Sequence, residues 1–157
     1  MKIIKVGILG PDGRMGREII KQSEAYKQIS LSYLCERKKH KSVGTEISGL
    51  TVYDTIDNLI NESDVIIDFS VPTATINLMK KIKKSDKKIA IVTGTTGYSK
   101  KEEKIFRSLS KGKTILQSFN MSIGIGLLKN IVRYSSEKIG NLSDIEIVEI
   151  HHNKKRD

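Results

Sequence analysis

Two groups of residues in this sequence have types and spacings that suit chemistry. The first is "GPDGRMG", where Gly10, Gly13 and Gly16 recur at intervals of three just after an apolar, β-branched run. Glycines in such a turn permit a sharp reversal and let the backbone approach a bulky anion. A helix beginning there aims its unpaired N–H groups at the charge. That is the chemistry of pyrophosphate binding, although Asp12 stands where the usual G-x-G-x-x-G pattern has its second glycine. The second group is "HHNKK" at 151–155, directly after the apolar run 144–150. It reads either as the start of a catalytic site or as a solvated basic tail, and residue types alone leave both open.

The elements that must position these groups follow from hydrophobic period. Apolar, β-branched runs predict strands at 3–9, 29–35, 64–70, 88–94, 113–119 and 144–150. Helical spacing predicts helices at 14–24, 55–61, 73–83, 99–110 and 122–138, with a polar loop after the second strand. Alternating βα units imply an α/β fold, a doubly wound parallel sheet of the Rossmann-like kind with helices on both faces. Its ligand crevice lies at the carboxyl ends of the strands. The helix at 122–138 and the run 144–150 read as the start of a second, α+β domain, dividing the chain into 1–121 and 122–157.

The second strand places Glu36 at its end, 26 residues after Gly10, with Arg37 next. An acid about 20 residues beyond the glycine turn binds the 2′-hydroxyl of NAD, and a neighbouring base accommodates the 2′-phosphate of NADP. A solvated charge pair at a strand end is the alternative.

Composition narrows the partners. The net charge of +10 comes mostly from lysine, aromatic residues are only 5% and there is no Trp. A nucleic-acid surface would interleave Arg with stacking aromatics, so none is expected as the main partner. Runs such as "ERKKHK" read as solvated lysine-rich loops, or as an attraction for small anions such as a nucleotide or a dicarboxylate. The opening "MKIIKVGILG" is interrupted by Lys5 and too short for a signal core or a membrane span. A single cysteine, Cys35, precludes an intrachain disulfide and suits a reducing compartment, so a cytoplasmic location is expected. Cys35, His40, His151 and His152 lack the spacing of a zinc site, and no metal is expected.

Five stretches then occur in a specific order: "GRMG" (13–16), "DFS" with Pro72 (68–72), "GTTGY" (94–98), "NMSIGIG" (120–126) and "EIHHNKK" (149–155). Together they resemble 4-hydroxy-tetrahydrodipicolinate reductase, also called dihydrodipicolinate reductase, of the diaminopimelate route to lysine. The resemblance implies hydride transfer from NADPH or NADH to a small dicarboxylate. Gly10, Pro11, Asp12, Gly13, Arg14 and Met15 would hold the pyrophosphate, and Glu36 and Arg37 the adenosine ribose or its phosphate. Gly94, Thr95 and Thr96 would line the nicotinamide, and Ser118, Phe119, Asn120 and Met121 would close over it. His151 would act as acid/base, Lys155 would donate a proton, and His152 would contact the substrate. Met121 stands where the family often has an aromatic residue, and Ser70 where threonine is common.

The resemblance covers the whole chain but only somewhat more than half of the family's length. In the family a small-residue loop that grips the substrate carboxylates follows the position of Asp157, and a sheet that builds a tetramer follows that. The expectation is a nucleotide-binding half with the beginning of a substrate domain, in which a family-like homotetramer is not expected. A truncated, non-catalytic NAD(P)-binding module is the alternative.

Overall fold

The computed structural model describes residues 3–148 and 150. The chain separates into two compact units, Met1–Ser118 and Phe119–Asp157. The first holds β1 (Ile4–Leu9), α1 (Arg14–Ser23), β2 (Ile29–Cys35), β3 (Glu46–Ile47), β4 (Leu50–Tyr53), α2 (Ile56–Glu62) and β5 (Val65–Asp68). It continues through α3 (Pro72–Lys84), β6 (Ala90–Thr93), α4 (Lys100–Ser110) and β7 (Thr114–Gln117). The second holds α5 (Ile123–Ile139) and a short 3-10 turn, Gly140–Leu142.

The seven strands form one sheet in the order β3-β4-β2-β1-β5-β6-β7. From β1 the chain winds outward through β2 to β4, then returns to β5 and winds the other way through β6 to β7. The reversal between β1 and β5 is a topological switch point, which opens a crevice above their carboxyl ends. β1 pairs in parallel with both β2 and β5, matching Leu9 with Cys35 on one side and Asp68 on the other. The ends of three strands are thereby brought level beneath the turn that follows β1.

Alternation along the strands sorts the core to two faces. Leu9, Cys35, Ile66 and Ile91 pack with Leu59 of α2, Leu78, Met79 and Ile82 of α3, and Phe106 of α4. Ile8, Leu34 and Val52 point the other way, onto Ile20 of α1. Each fully buried Leu or Ile contributes about 1.5–3 kcal/mol, so this packing holds the strand ends rigidly. Helix starts are set locally. Pro72 opens α3, where its missing N–H costs nothing, and Ser99 and Glu102 form a capping box on α4.

All five helices lie within one residue of the ranges expected from hydrophobic period. Two strand expectations fail. The loop after β2 contains a hairpin, β3–β4, whose antiparallel pairing departs from an all-parallel sheet. Its two-residue turn holds Ser48 at φ 49° and Gly49 at φ 75°, the two positive angles that a tight hairpin turn requires. β4 then joins the sheet parallel to β2. The other failure is the expected strand at 144–150, because residues 144–148 and 150 carry no strand. Alternating sequence is not enough for a strand, which also needs a ladder partner; none is offered to this stretch among the described residues. The first unit ends at Ser118, where the sequence placed a boundary after residue 121.

Candidate functional site

The turn between β1 and α1 uses its three glycines for three different reasons. Gly10 has φ +82°, a left-handed conformation that favours glycine, and its N–H donates to the Cys35 carbonyl at 2.9 Å. Gly16 is packed: a Cβ there would lie 2.2 Å from the Gly10 carbonyl oxygen and 2.8 Å from Pro11 Cα. Gly13 needs neither. Its φ is −69°, and a Cβ would meet only the Gly10 oxygen, at 3.4 Å. Among the described residues no steric contact demands glycine at 13, although glycine serves better than alanine as an N-cap. Gly13 is the N-cap of α1, which has no side-chain cap and no acid in its first turn. The positive end of the helix therefore opens beside the smallest residue of the turn.

Asp12, the residue that breaks the usual glycine pattern, is turned aside. Arg17 donates to its Oδ1 through Nε at 2.9 Å and also through Nη2. The pairing neutralises a carboxylate that would otherwise repel an anion at this turn. The Asp12 Oδ2 lies 3.9 Å from His40 Nδ1, so the turn touches the loop that follows β2.

Gly10, Asp12 and Gly13 line a groove of about 1170 Å³ together with Glu36, Arg37, Lys38, Lys39 and His40. Residues 37–40 make a turn closed by the His40 N–H donating to the Arg37 carbonyl at 3.1 Å. It holds Lys39 at φ 61°, an uncommon angle for a side-chain-bearing residue. The Glu36 carboxylate folds back to accept from the Arg37 N–H at 2.9 Å. Lys38, Lys39 and His40 escaped the sequence reading of site residues, because a charge run looks the same in a groove wall as in a solvated loop. On the far side the groove is bounded by Phe69, Ser70 and Val71, which follow β5.

The turn after β6 lies next to that far wall. Gly94 is pinned by packing: a Cβ would fall 2.1 Å from Cε1 of Phe69. Its N–H donates to the Asp68 carbonyl at 2.9 Å. Thr95 is only 2% exposed, and its hydroxyl points inward, 3.3 Å from Asp68 Oδ1. Thr96 is half-buried. The Tyr98 hydroxyl is buried and approaches Thr75, Thr93 and Thr95 without reaching hydrogen-bond geometry; burial raises its pKa. Pro11 is buried within the β1–α1 turn, while Arg14 and Met15 open α1 on its exposed side. Ser118 closes the first unit, its N–H donating to the Thr93 carbonyl at 3.1 Å.

Phe119, Asn120 and Met121 belong to the second unit. There Asn120 Oδ1 accepts from the Ser122 N–H at 2.9 Å, and the Ser122 hydroxyl caps α5 by accepting from the Ile125 N–H. His151, His152 and Lys155 lie outside the described residues. No helix among the described residues is long and apolar enough to cross a membrane.

A model of the family described as "Dihydrodipicolinate reductase, N-terminus" matches residues 4–121. The chain belongs to the dihydrodipicolinate reductase family. The chain is 38% identical, over 99% of its length, to the 4-hydroxy-tetrahydrodipicolinate reductase of Buchnera aphidicola subsp. Acyrthosiphon pisum (strain Tuc7), of which it covers 60%. It is also 38% identical over 99% of its length to the enzyme of that name from a Nitratiruptor species, covering 59%. The chain thus spans about three fifths of the length of the curated relatives it matches. Among solved structures, the dipicolinate-bound dihydrodipicolinate reductase of Paenisporosarcina sp. TG-14 superposes with a TM-score of 0.70. That match has 19% identity and covers 87% of this chain and 54% of that one, and it supports the Rossmann-like fold.

Proposed function

We propose that the chain is the nucleotide-binding part of a 4-hydroxy-tetrahydrodipicolinate reductase that takes NADPH or NADH. The observation that carries the nucleotide reading is Gly13: no close packing among the described residues requires its small size, and it sits at the uncapped N-terminus of a helix, facing a groove. The substrate reading, a small dicarboxylate of the diaminopimelate route to lysine, rests on family membership.

A dinucleotide fits the groove with its pyrophosphate at Gly10, Gly13 and the first N–H groups of α1. Its adenosine ribose would lie toward Glu36 and Arg37, and its nicotinamide toward Phe69, Ser70 and residues 94–96. Glu36 suits a 2′-hydroxyl, whereas Arg37, Lys38 and Lys39 suit a 2′-phosphate. Asp12 and Asp57 are already paired, with Arg17 and Lys81. Arg37, Lys38 and Lys39 outnumber the carboxylates of Glu36 and Asp54 there, which favours NADPH as the tighter ligand. Bound, the nicotinamide supplies a hydride. The protein's part is to fix the ring's distance and keep the phosphate charge compensated. We further assign His151 the acid/base role, Lys155 the donation of a proton to the substrate, and His152 a substrate contact. These residue types suit it, since histidine titrates near neutral pH and lysine neutralises a carboxylate. A cytoplasmic setting fits the single cysteine.

The test is substrate-dependent loss of reduced-nicotinamide absorbance when the chain is mixed with NADPH and freshly generated 4-hydroxy-tetrahydrodipicolinate. Oxidation that depends on the substrate supports the reductase reading. Tight NADPH binding without it favours the alternative, a non-catalytic NAD(P)-binding module.

A further inference from the structure

We propose that Asp68 is a positioning residue for the nicotinamide end of the groove, acting through the hydroxyl groups around it. The inference rests on the dinucleotide reading above. Asp68 ends β5, has no exposed surface, and is not among the residues lining the groove. A buried carboxylate is costly unless its oxygens are met by donors. Here the donors come from three separate segments.

Ser70 donates to Oδ1 through both its N–H, at 3.0 Å, and its hydroxyl, at 2.5 Å. Thr75, one turn into α3, donates to Oδ2 at 2.5 Å. Thr93, at the end of β6, donates to Oδ2 at 3.3 Å, and Thr95 approaches Oδ1 at 3.3 Å. Thr95 also lies 3.1 Å from the Thr75 hydroxyl, and its N–H donates to the Thr93 hydroxyl at 3.3 Å. Four hydroxyl groups thus converge on one carboxyl group.

The consequence lies in what these donors are attached to. Ser70 borders the phosphate turn, since a Cβ on Gly10 would lie 3.4 Å from Ser70 Cβ. Thr93 and Thr95 flank Gly94, which packs under the Phe69 ring. One buried group therefore ties the Phe69 wall to the turn after β6, with Ser70 at the edge of the β1–α1 turn. Core packing alone would hold the backbones roughly in place. The carboxylate adds direction, because each hydroxyl must aim at it. Loosening the network should free the 93–96 turn while leaving Glu36, Arg37 and Gly13 where they are.

The test compares NADH with ADP-ribose, which lacks the nicotinamide, on the 157-residue chain carrying Asp68→Asn, Thr75→Val or Thr75→Ser. Val removes the bond from α3 to the carboxylate; Ser keeps it. The expected result is a loss of NADH affinity on the order of 10-fold for Asp68→Asn and Thr75→Val. ADP-ribose affinity should stay within about twofold, because it lacks the nicotinamide and keeps its adenosine and pyrophosphate contacts at Glu36, Arg37 and Gly13. The rise in reduced-nicotinamide fluorescence on binding should fall in both variants and recover in Thr75→Ser. Equal weakening of both ligands, or an unchanged NADH to ADP-ribose ratio in variants that melt cooperatively, overturns the proposal. If Asp68→Asn does not fold, the Thr75 pair decides. Should the unsubstituted chain bind neither ligand, the dinucleotide reading itself falls, and this inference with it.

Discussion

Replacing Gly13 and Gly16 one at a time separates what the fold needs from what a ligand needs. In Gly16→Ala the new methyl group would sit 2.2 Å from the Gly10 oxygen, and 2.8 and 2.9 Å from two Pro11 backbone atoms. Backbone cannot rotate away as a side chain can, so α1 must shift off the turn. Overpacking of this kind costs roughly 1–3 kcal/mol, and the upper end corresponds to a melting-point drop of roughly 6–12 °C for a chain of this size. In Gly13→Ala the methyl group meets one atom at 3.4 Å, with φ at −69°. The remaining cost is the weaker N-cap propensity of alanine, about 1 kcal/mol at most. That methyl group would occupy the space assigned to a pyrophosphate oxygen, so NADPH affinity should fall by more than ~10-fold, or about 1.4 kcal/mol. Thermal denaturation followed by circular dichroism and titration calorimetry with NADPH read the two quantities independently. The reasoning is refuted if Gly13→Ala binds NADPH as well as the parent chain, or if the two substitutions destabilise it equally.

Arg37→Ala should weaken NADPH by about 10-fold and NADH by less than about twofold, since a charge-assisted bond to the 2′-phosphate is worth ~1.5–3 kcal/mol; equal losses would remove Arg37 from that role. Ser99→Ala should lower the unfolding free energy by about 1 kcal/mol through loss of the α4 N-cap, measured by urea denaturation, and an unchanged midpoint would mean the helix start does not depend on it. Burial pushes the Cys35 thiol up from 9.0 to about 12. The unfolded chain therefore sheds this proton first, and stability should decline as pH rises from about 9 toward 12. Denaturation midpoints across that range should fall more steeply in the parent chain than in Cys35→Ala, and parallel slopes would contradict the assignment.

The helices were legible because their apolar spacing is strong and local. The hairpin at 46–53 was not, since strands of two and four residues show almost no period. Its "SG" turn was a signal that the surrounding polar residues masked. The groove was half legible. Gly10 and Gly13 announce themselves by type and position, but Lys38, Lys39 and His40 read as loop charge until the 37–40 turn places them on the groove wall. Thr95 shows the same limit, because nothing in "GTTGY" tells an inward hydroxyl from an outward one. Asp68 was visible within "DFS", but its surroundings depend on residues up to 27 positions away, which local pattern cannot reach. For 144–150 the alternation was real, but it does not report whether a ladder partner exists, and none does among the described residues.

Amide chemical-shift mapping of the isotope-labelled chain on addition of NADPH tests the central claim most directly. Saturable shifts at Gly10, Gly13 and the first turn of α1, together with Arg37 to His40, are the expected result. No saturable shift, or shifts confined to the smaller lysine-lined depression between α2 and α3 around Asn61, Lys80 and Lys84, would contradict it.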